Sequence, residues 1–190
     1  MDRQLGPAHG VAPTRLLRDH RGIALGISAT YVLVGFETSA IAVTLPLAIG
    51  ELRVHGLAGG VLSAFAVTMV VGMTIAAVLG SRLPIARVQV LSVTAMVVGL
   101  TLSATAQSVW FLIAGRAIEG LGAGIALVAM YMVVSAAIPV HLRPQMFALI
   151  SSSWVVPALM GPVVAGVLTS LQGWRLPFAS MAFPLSVNLS

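Results

Sequence analysis

The run from Trp110 to Ile138 is apolar at almost every position, yet it contains an arginine and a glutamate. Because a helix needs roughly 20 apolar residues to cross a bilayer, this run is long enough to span one. A charge near the middle of such a helix costs at least about 2.5–3.5 kcal/mol on insertion scales. Arg116 and Glu119 are three residues apart, so they share one helix face and can partly neutralise each other. The run therefore predicts a membrane-spanning helix that carries a buried charged pair.

Two interpretations of this pair stay open. Charged residues inside a membrane commonly mark a path for substrate or protons, whereas a buried ion pair can also serve only to orient helix packing. Gly120 and Gly124 follow the pair, and small residues four apart let another helix approach closely.

The composition supports a membrane protein and argues against several other classes. The chain has 190 residues, of which 58% are hydrophobic and 8% charged, and its mean hydropathy is +1.04. These values are typical of integral membrane proteins. The chain has no cysteine, and its four histidines lack metal-ligand spacing, so we expect neither a metal site nor a cofactor. We find no catalytic motif and expect the protein not to be an enzyme.

The apolar runs divide the chain into a short tail and a helical bundle. Residues 1–21 are polar and predict a cytoplasmic tail, and residues 22–190 predict a transmembrane bundle. We expect spans at about 22–49, 56–80, 88–106, 110–138, 146–171 and 177–190. The last is short for a crossing, and the chain ends inside it. The fold class predicted is therefore all-α, with a truncated sixth helix.

The arginines in the gaps between spans predict the orientation, because cytoplasmic loops carry an excess of Lys and Arg. If the tail is cytoplasmic, the opposite side holds only Arg53 and Arg175. The cytoplasmic side then holds Arg3, Arg15, Arg18, Arg21, Arg82, Arg87 and Arg143. The net charge of +5 thus indicates topology and predicts no nucleic-acid partner. We expect a multi-pass protein of the inner (plasma) membrane with its N-terminus inside.

Small residues form stripes on two spans. The second span carries Gly60, Ala64, Thr68, Gly72, Ala76 and Gly80, and the fifth carries Ala158, Gly161, Pro162, Ala165, Gly166 and Thr169. Such stripes favour close helix contact, and Pro162 is expected to kink its helix. Ordinary tight packing explains either stripe, but two in one chain favour helices that slide or rock on partners.

Glu37 is a lone acid near the middle of the first span. Burial disfavours a charged carboxylate, so Glu37 could carry a proton or attract a cationic substrate; the alternative is a neutral side chain hydrogen-bonded to a neighbouring helix. At 1.5 Å per residue, Glu37 lies ~18 Å and Glu119 ~14 Å from the outer ends of their spans. A shared polar site at mid-depth is therefore possible, although the sequence does not show that the two helices face each other.

Four motifs give the chain a resemblance to the N-terminal half of a major facilitator superfamily transporter, closest to the drug:proton antiporters. They are Glu37–Pro46 in the first helix, Gly115–Gly124 in the fourth, Pro157 with Gly161–Gly166 in the fifth, and Trp174–Arg175 with Phe178 in the sixth. The resemblance implies a half transporter. It also implies that Glu37, Arg116 and Glu119 couple protons to substrate, with Phe36 and Trp154 as candidate aromatic contacts. For gating and helix packing it implies Arg82, Arg87, Gly120, Gly124, Pro157, Gly161, Pro162 and Gly166.

The chain departs from the family pattern at two informative positions. Ser81 stands where the family has an aspartate that helps to latch the inward gate, which puts that form of gating in doubt. Glu119 stands where glutamine is usual and adds a second acid beside Arg116. By resemblance, the small-residue stripes of the second and fifth spans would face a missing C-terminal half.

The resulting hypothesis is a secondary transporter, present as a truncated half, that exports a hydrophobic or cationic drug-like compound in exchange for protons. Its partners would be the bilayer, protons, the substrate and a missing half or second chain. The alternative is a non-transporting membrane remnant or an assembly partner of another membrane chain. We expect the reading frame after Ser190 to distinguish them, since further spans there would indicate a broken transporter gene.

Overall fold

The computed structural model describes residues 21–52 and 56–187. In these ranges the chain is helical and has no strand, which confirms the all-α fold class. The helices are α1 (Arg21–Leu52), α2 (Ala58–Gly80), α3 (Ile85–Ala104), α4 (Val109–Ala137), α5 (Arg143–Gln172) and α6 (Arg175–Val187), with a short 3₁₀ helix (Val140–Leu142) before α5. The predicted tail lies outside the described residues except for Arg21.

The first five helices are long and apolar enough to cross a membrane, and α6 has 13 residues. Helices suit these apolar sequences because every backbone polar group must find a partner inside a bilayer. Burial differs sharply among them: 56% of the most apolar window of α4 is buried, against 17% for α2 and for α5. The chain is therefore a multi-pass membrane protein in which α4 is central, while α2 and α5 leave much of their apolar surface exposed.

The helices pack as two groups. α4 lies between α2 and α3 and packs extensively on both, whereas α1 packs mainly on α5. α6 packs chiefly on α3, with smaller contacts on α1 and α5. The backbone of α1 approaches that of α4 at few positions, but their side chains share buried apolar clusters, as Ala24 and Tyr31 of α1 do with Met130 of α4.

The small-residue stripe of α2 packs against α4, which overturns the expectation that it faces a missing half. A Cβ atom added to Gly120 or Gly124 would collide with the backbone carbonyl of Phe65 or Met69 on α2, and one added to Gly72 would collide with that of Leu121 on α4. The expectation was wrong because a stripe of small residues predicts a close approach without naming the partner.

The stripe of α5 divides between two directions. Gly161 packs against Ser39 of α1, and Ala165 is buried. Ala158 and Pro162 are exposed, and a Cβ at Gly166 would have no neighbour within 4 Å. Part of this stripe thus holds α5 to α1, and the expectation that the whole stripe faces a missing half was wrong.

Candidate functional site

Three charged side chains meet in the interior of the bundle. Arg116 and Glu119 come from α4 and Glu37 from α1, and their side chains are 2%, 0% and 4% exposed. Nη1 of Arg116 donates hydrogen bonds to Oε1 of Glu37 and to Oε2 of Glu119, the latter at 2.8 Å. The structure therefore brings together the two helices whose acids the sequence placed at similar depth. We call these three residues the inner cluster.

The inner cluster has hydrogen-bonding capacity left over. Nε of Arg116, Oε2 of Glu37 and Oε1 of Glu119 have no hydrogen-bond partner among the described residues. The guanidinium carbon of Arg116 lies 4.3 Å from the ring centroid of Phe65 on α2, which is cation–π geometry. A polar group without a partner in a low-dielectric interior is costly, and such sites are often functional.

Close packing of α5 on α1 positions Glu37. A Cβ at Gly35 would lie 2.8 Å from Cγ of Pro157, and one at Gly161 would lie 2.6 Å from Cβ of Ser39. These two contacts fall on either side of Glu37 along α1. Pro157 and Gly161 therefore fix the part of α1 that carries the acid, and neither bonds to the acid itself.

A small apolar cavity of about 140 Å³ lies next to the inner cluster, between α1, α2, α4 and α5. Its wall includes Thr38, the neighbour of Glu37, and Phe65, the ring beneath Arg116. Tyr31 and Trp154 also line it, with ring centroids 6.2 Å apart. Of the two aromatic residues expected to contact substrate, Trp154 lines the cavity and Phe36 does not. Tyr31 also lines it and was not predicted from the sequence.

A larger opening of about 260 Å³ lies between α1, α3 and α4. Its walls contain none of the three charged residues, and it begins near Gly22 at the start of α1. The three charged residues do not line the smaller cavity either, but its wall contains Thr38, which is next to Glu37, and Phe65, which lies against Arg116. We therefore place the candidate site at the smaller cavity.

The predicted gating arginines lie apart from the inner cluster. Arg82 and Arg87 are exposed at the turn between α2 and α3. The hydroxyl of Ser81, at the position of the family's aspartate, donates to the Val78 carbonyl at 2.8 Å and so closes the end of its own helix. The Ser81 side chain therefore bonds within its own helix end.

A second charged cluster, which sequence reasoning missed, joins the opposite ends of three helices. Oε1 and Oε2 of Glu51, at the end of α1, accept hydrogen bonds from Arg175 Nη1 at 2.6 Å and from Trp174 Nε1 at 2.8 Å. Arg175 also donates to the Ala106 carbonyl after α3 at 2.8 Å and stacks on Trp174. We call Glu51, Trp174 and Arg175 the outer cluster. Its only signal in the sequence was the Trp-Arg pair.

Comparison with known proteins decides the family. The family model of the Major Facilitator Superfamily matches residues 27–189. The chain belongs to the Major Facilitator Superfamily. This membership confirms the resemblance drawn from the four motifs and the identification of the bundle as part of a facilitator fold.

Several members of the superfamily align with most of this chain. An acurin A biosynthesis cluster MFS-type transporter of Aspergillus aculeatus is 27% identical over 88% of this chain and 31% of its own length. The MFS-type transporter TwmF of Talaromyces wortmannii is 24% identical over 82% of this chain and 28% of its own length. The multidrug efflux pump SdrM of Staphylococcus aureus is 24% identical over 75% of this chain and 32% of its own length. The chain thus spans about a third of the length of the curated relatives it matches.

Proposed function

We propose that the chain is part of a secondary active transporter of the plasma membrane that exports a hydrophobic or cationic drug-like compound in exchange for protons. The observation that carries the proposal is the inner cluster, in which two acids and an arginine are buried beside an apolar cavity. A relative named as a multidrug efflux pump supports the export of such compounds.

Glu37 is the group that would link protonation to helix position. As a carboxylate it accepts a hydrogen bond from Arg116 and so joins α1 to α4, whose apolar side chains also meet in two buried clusters. Protonation removes the charge that the guanidinium attracts, which weakens the bridge. Proton uptake and release at Glu37 would in this way change how α1 sits on α4.

The cavity would supply the apolar contacts for a substrate. Its aromatic walls, Tyr31, Phe65 and Trp154, suit a flat apolar or cationic compound, because ring faces attract both. In transporters of this architecture two halves enclose a midplane site and rock about it. The partners of this chain would then be protons, the substrate and a second half that closes the cavity.

The distribution of arginines supports an N-terminus inside the cell. Arg21, Arg82, Arg87 and Arg143 lie at or next to helix ends, and they would share one side of the membrane if successive helices cross it in alternating directions. On the other side, the described Arg175 is paired with Glu51. Since positive charge is enriched on the cytoplasmic side, the first side would be cytoplasmic.

Export driven by a pH gradient tests the proposal. Purified protein is reconstituted into liposomes with a fluorescent cationic dye, and dye movement is followed after a pH jump. We expect Glu37→Gln and Arg116→Ala to abolish gradient-driven export, and Glu51→Gln, which lies in the outer cluster, to retain it. Equal export by the Glu37→Gln, Arg116→Ala double variant would reject the site. No export by any form would favour the non-transporting alternative.

A further inference from the structure

The inner cluster contains one cation and two acids. Among the buried polar and charged side chains that the structure describes, Arg116 is the only cation, and Glu37 and Glu119 are the only acids. If both acids were ionised, the cluster would carry one net negative charge. An unbalanced charge away from water is strongly unfavourable.

The surrounding helices supply no charge that would balance this excess. α2 presents the Phe65 ring to Arg116, and α3 presents Gly99 to the backbone at Glu119. Pro157 of α5 packs against Gly35 of α1, two residues before Glu37. The nearest further titratable group on α1 is the phenol of Tyr31, and its buried hydroxyl has no hydrogen-bond partner in the described part of the chain.

The geometry also brings the two acids together. A single nitrogen of Arg116 binds one oxygen of each acid, so these oxygens lie within about two hydrogen-bond lengths of each other. The second oxygen of each acid is buried without a donor among the described residues. Two ionised carboxylates in one such site repel, and one of them keeps a proton instead.

We propose that Glu37 and Glu119 share a single proton. At rest the cluster then consists of a guanidinium, a carboxylate and a carboxylic acid, and its net charge is zero. The shared proton supplies a hydrogen-bond donor between two carboxyl groups that otherwise only accept hydrogen bonds. Because glutamine cannot titrate, a chain with glutamine at position 119 would lack this proton. The proposal deepens the proposed function, and its meaning for transport rests on that function, since this proton would be the one exchanged.

Infrared difference spectroscopy tests the proposal without measuring transport. The protein is studied in lipid nanodiscs at neutral pH, and the carbonyl stretch of protonated carboxyl groups is compared among variants. The chain has five acidic residues in all, so the background is small. We expect one protonated carboxyl in the wild type and none in either Glu37→Gln or Glu119→Gln, because removing either acid lets Arg116 balance the one that remains. Glu51→Gln should leave the band unchanged.

Two results would overturn the proposal directly. If the band disappears in Glu119→Gln and persists in Glu37→Gln, then Glu119 holds a proton of its own and no proton is shared. Absence of the band from the wild type would also reject the proposal. An Arg116→Gln variant adds a further arm, in which loss of the cation should about double the band because both acids become neutral. Circular dichroism confirms that each variant is folded, and failure of the arginine variant to fold leaves the two glutamate arms decisive. If the wild type shows the expected carboxyl band but no transport, the proposed function is rejected and the shared proton is not.

Discussion

The inner and outer clusters use the same chemistry in opposite surroundings. Each joins an acid of α1 to an arginine from a helix distant in sequence. The inner arginine and its α1 acid are 2% and 4% exposed, whereas the outer pair is 37% and 52% exposed. Water and salt screen the outer pair, so its charges contribute little and cost little. The inner charges are paired at a large desolvation cost, which makes the loss of one partner severe.

The two clusters also differ in how completely they are satisfied. Both oxygens of Glu51 accept hydrogen bonds, and Arg175 bonds to a carbonyl as well. In the inner cluster each side chain keeps one polar atom without a partner among the described residues. The outer cluster thus joins helix ends through hydrogen bonds that occupy both oxygens of Glu51. The inner cluster keeps donor and acceptor atoms that could form further hydrogen bonds.

The largest effect should come from removing the inner arginine. Arg116→Ala leaves two buried acids without a cation, and breaking a buried ion pair in this way costs about 3–5 kcal/mol. Because the acids can escape the penalty by taking up protons, the variant should be least stable at high pH and recover as the pH falls. Unfolding in detergent, followed by circular dichroism over a pH series, measures both effects. Arg82→Ala, at an exposed turn, is the matched control and should change little.

A packing variant should have an intermediate effect. A Cβ at Gly124 would collide with the Met69 carbonyl and lie 2.9 Å from the Met73 nitrogen, so Gly124→Ala should cost about 1–3 kcal/mol through overpacking. Gly166→Ala provides the comparison, because a Cβ there meets nothing within 4 Å; it should leave stability unchanged or slightly raised. If both variants unfold at the same temperature, the close contact between α2 and α4 at Gly124 does not contribute to stability.

The smallest effect should come from the outer cluster. Arg175→Gln removes an exposed charge from Glu51, so the melting temperature should fall less than in either preceding case. The difference from the wild type should shrink further in high salt, since exposed charges are screened. Melting curves at low and high salt make the measurement. A loss as large as that of Arg116→Ala, or one that salt does not alter, would remove the distinction between the two clusters.

The sequence predicted the fold class because long apolar runs separated by short arginine-bearing gaps leave few structures open in a membrane. It also placed Glu37 and Glu119 at similar depth, since depth follows from helical rise alone. It did not show that α1 faces α4, because rotation about a helix axis depends on tertiary packing. The partner of the α2 stripe was predicted wrongly for the same reason. The roles of the inner cluster in transport remain predictions.

The outer cluster was beyond sequence reasoning for a different reason. Glu51 and Arg175 are 124 residues apart in the chain, and each sits at a helix end where an ordinary exposed charge is equally at home. Only the folded arrangement of α1, α3 and α6 shows that the two residues form an ion pair and are not separately solvated charges. Trp174 gave a partial signal, because an indole with its N–H buried generally needs an acceptor.

The glycine contacts between α2 and α4 have a mechanical consequence. Backbone lies against backbone at Gly72, Gly120 and Gly124, so at these positions a closer approach of α2 to α4 would cause a direct clash. α1 and α5 also approach closely, where Gly35 meets the Pro157 side chain and Gly161 meets the Ser39 side chain. The buried ion pair of Arg116 with Glu37 joins α4 to α1, so a change of charge at this pair acts directly on the contact between two closely packed pairs of helices.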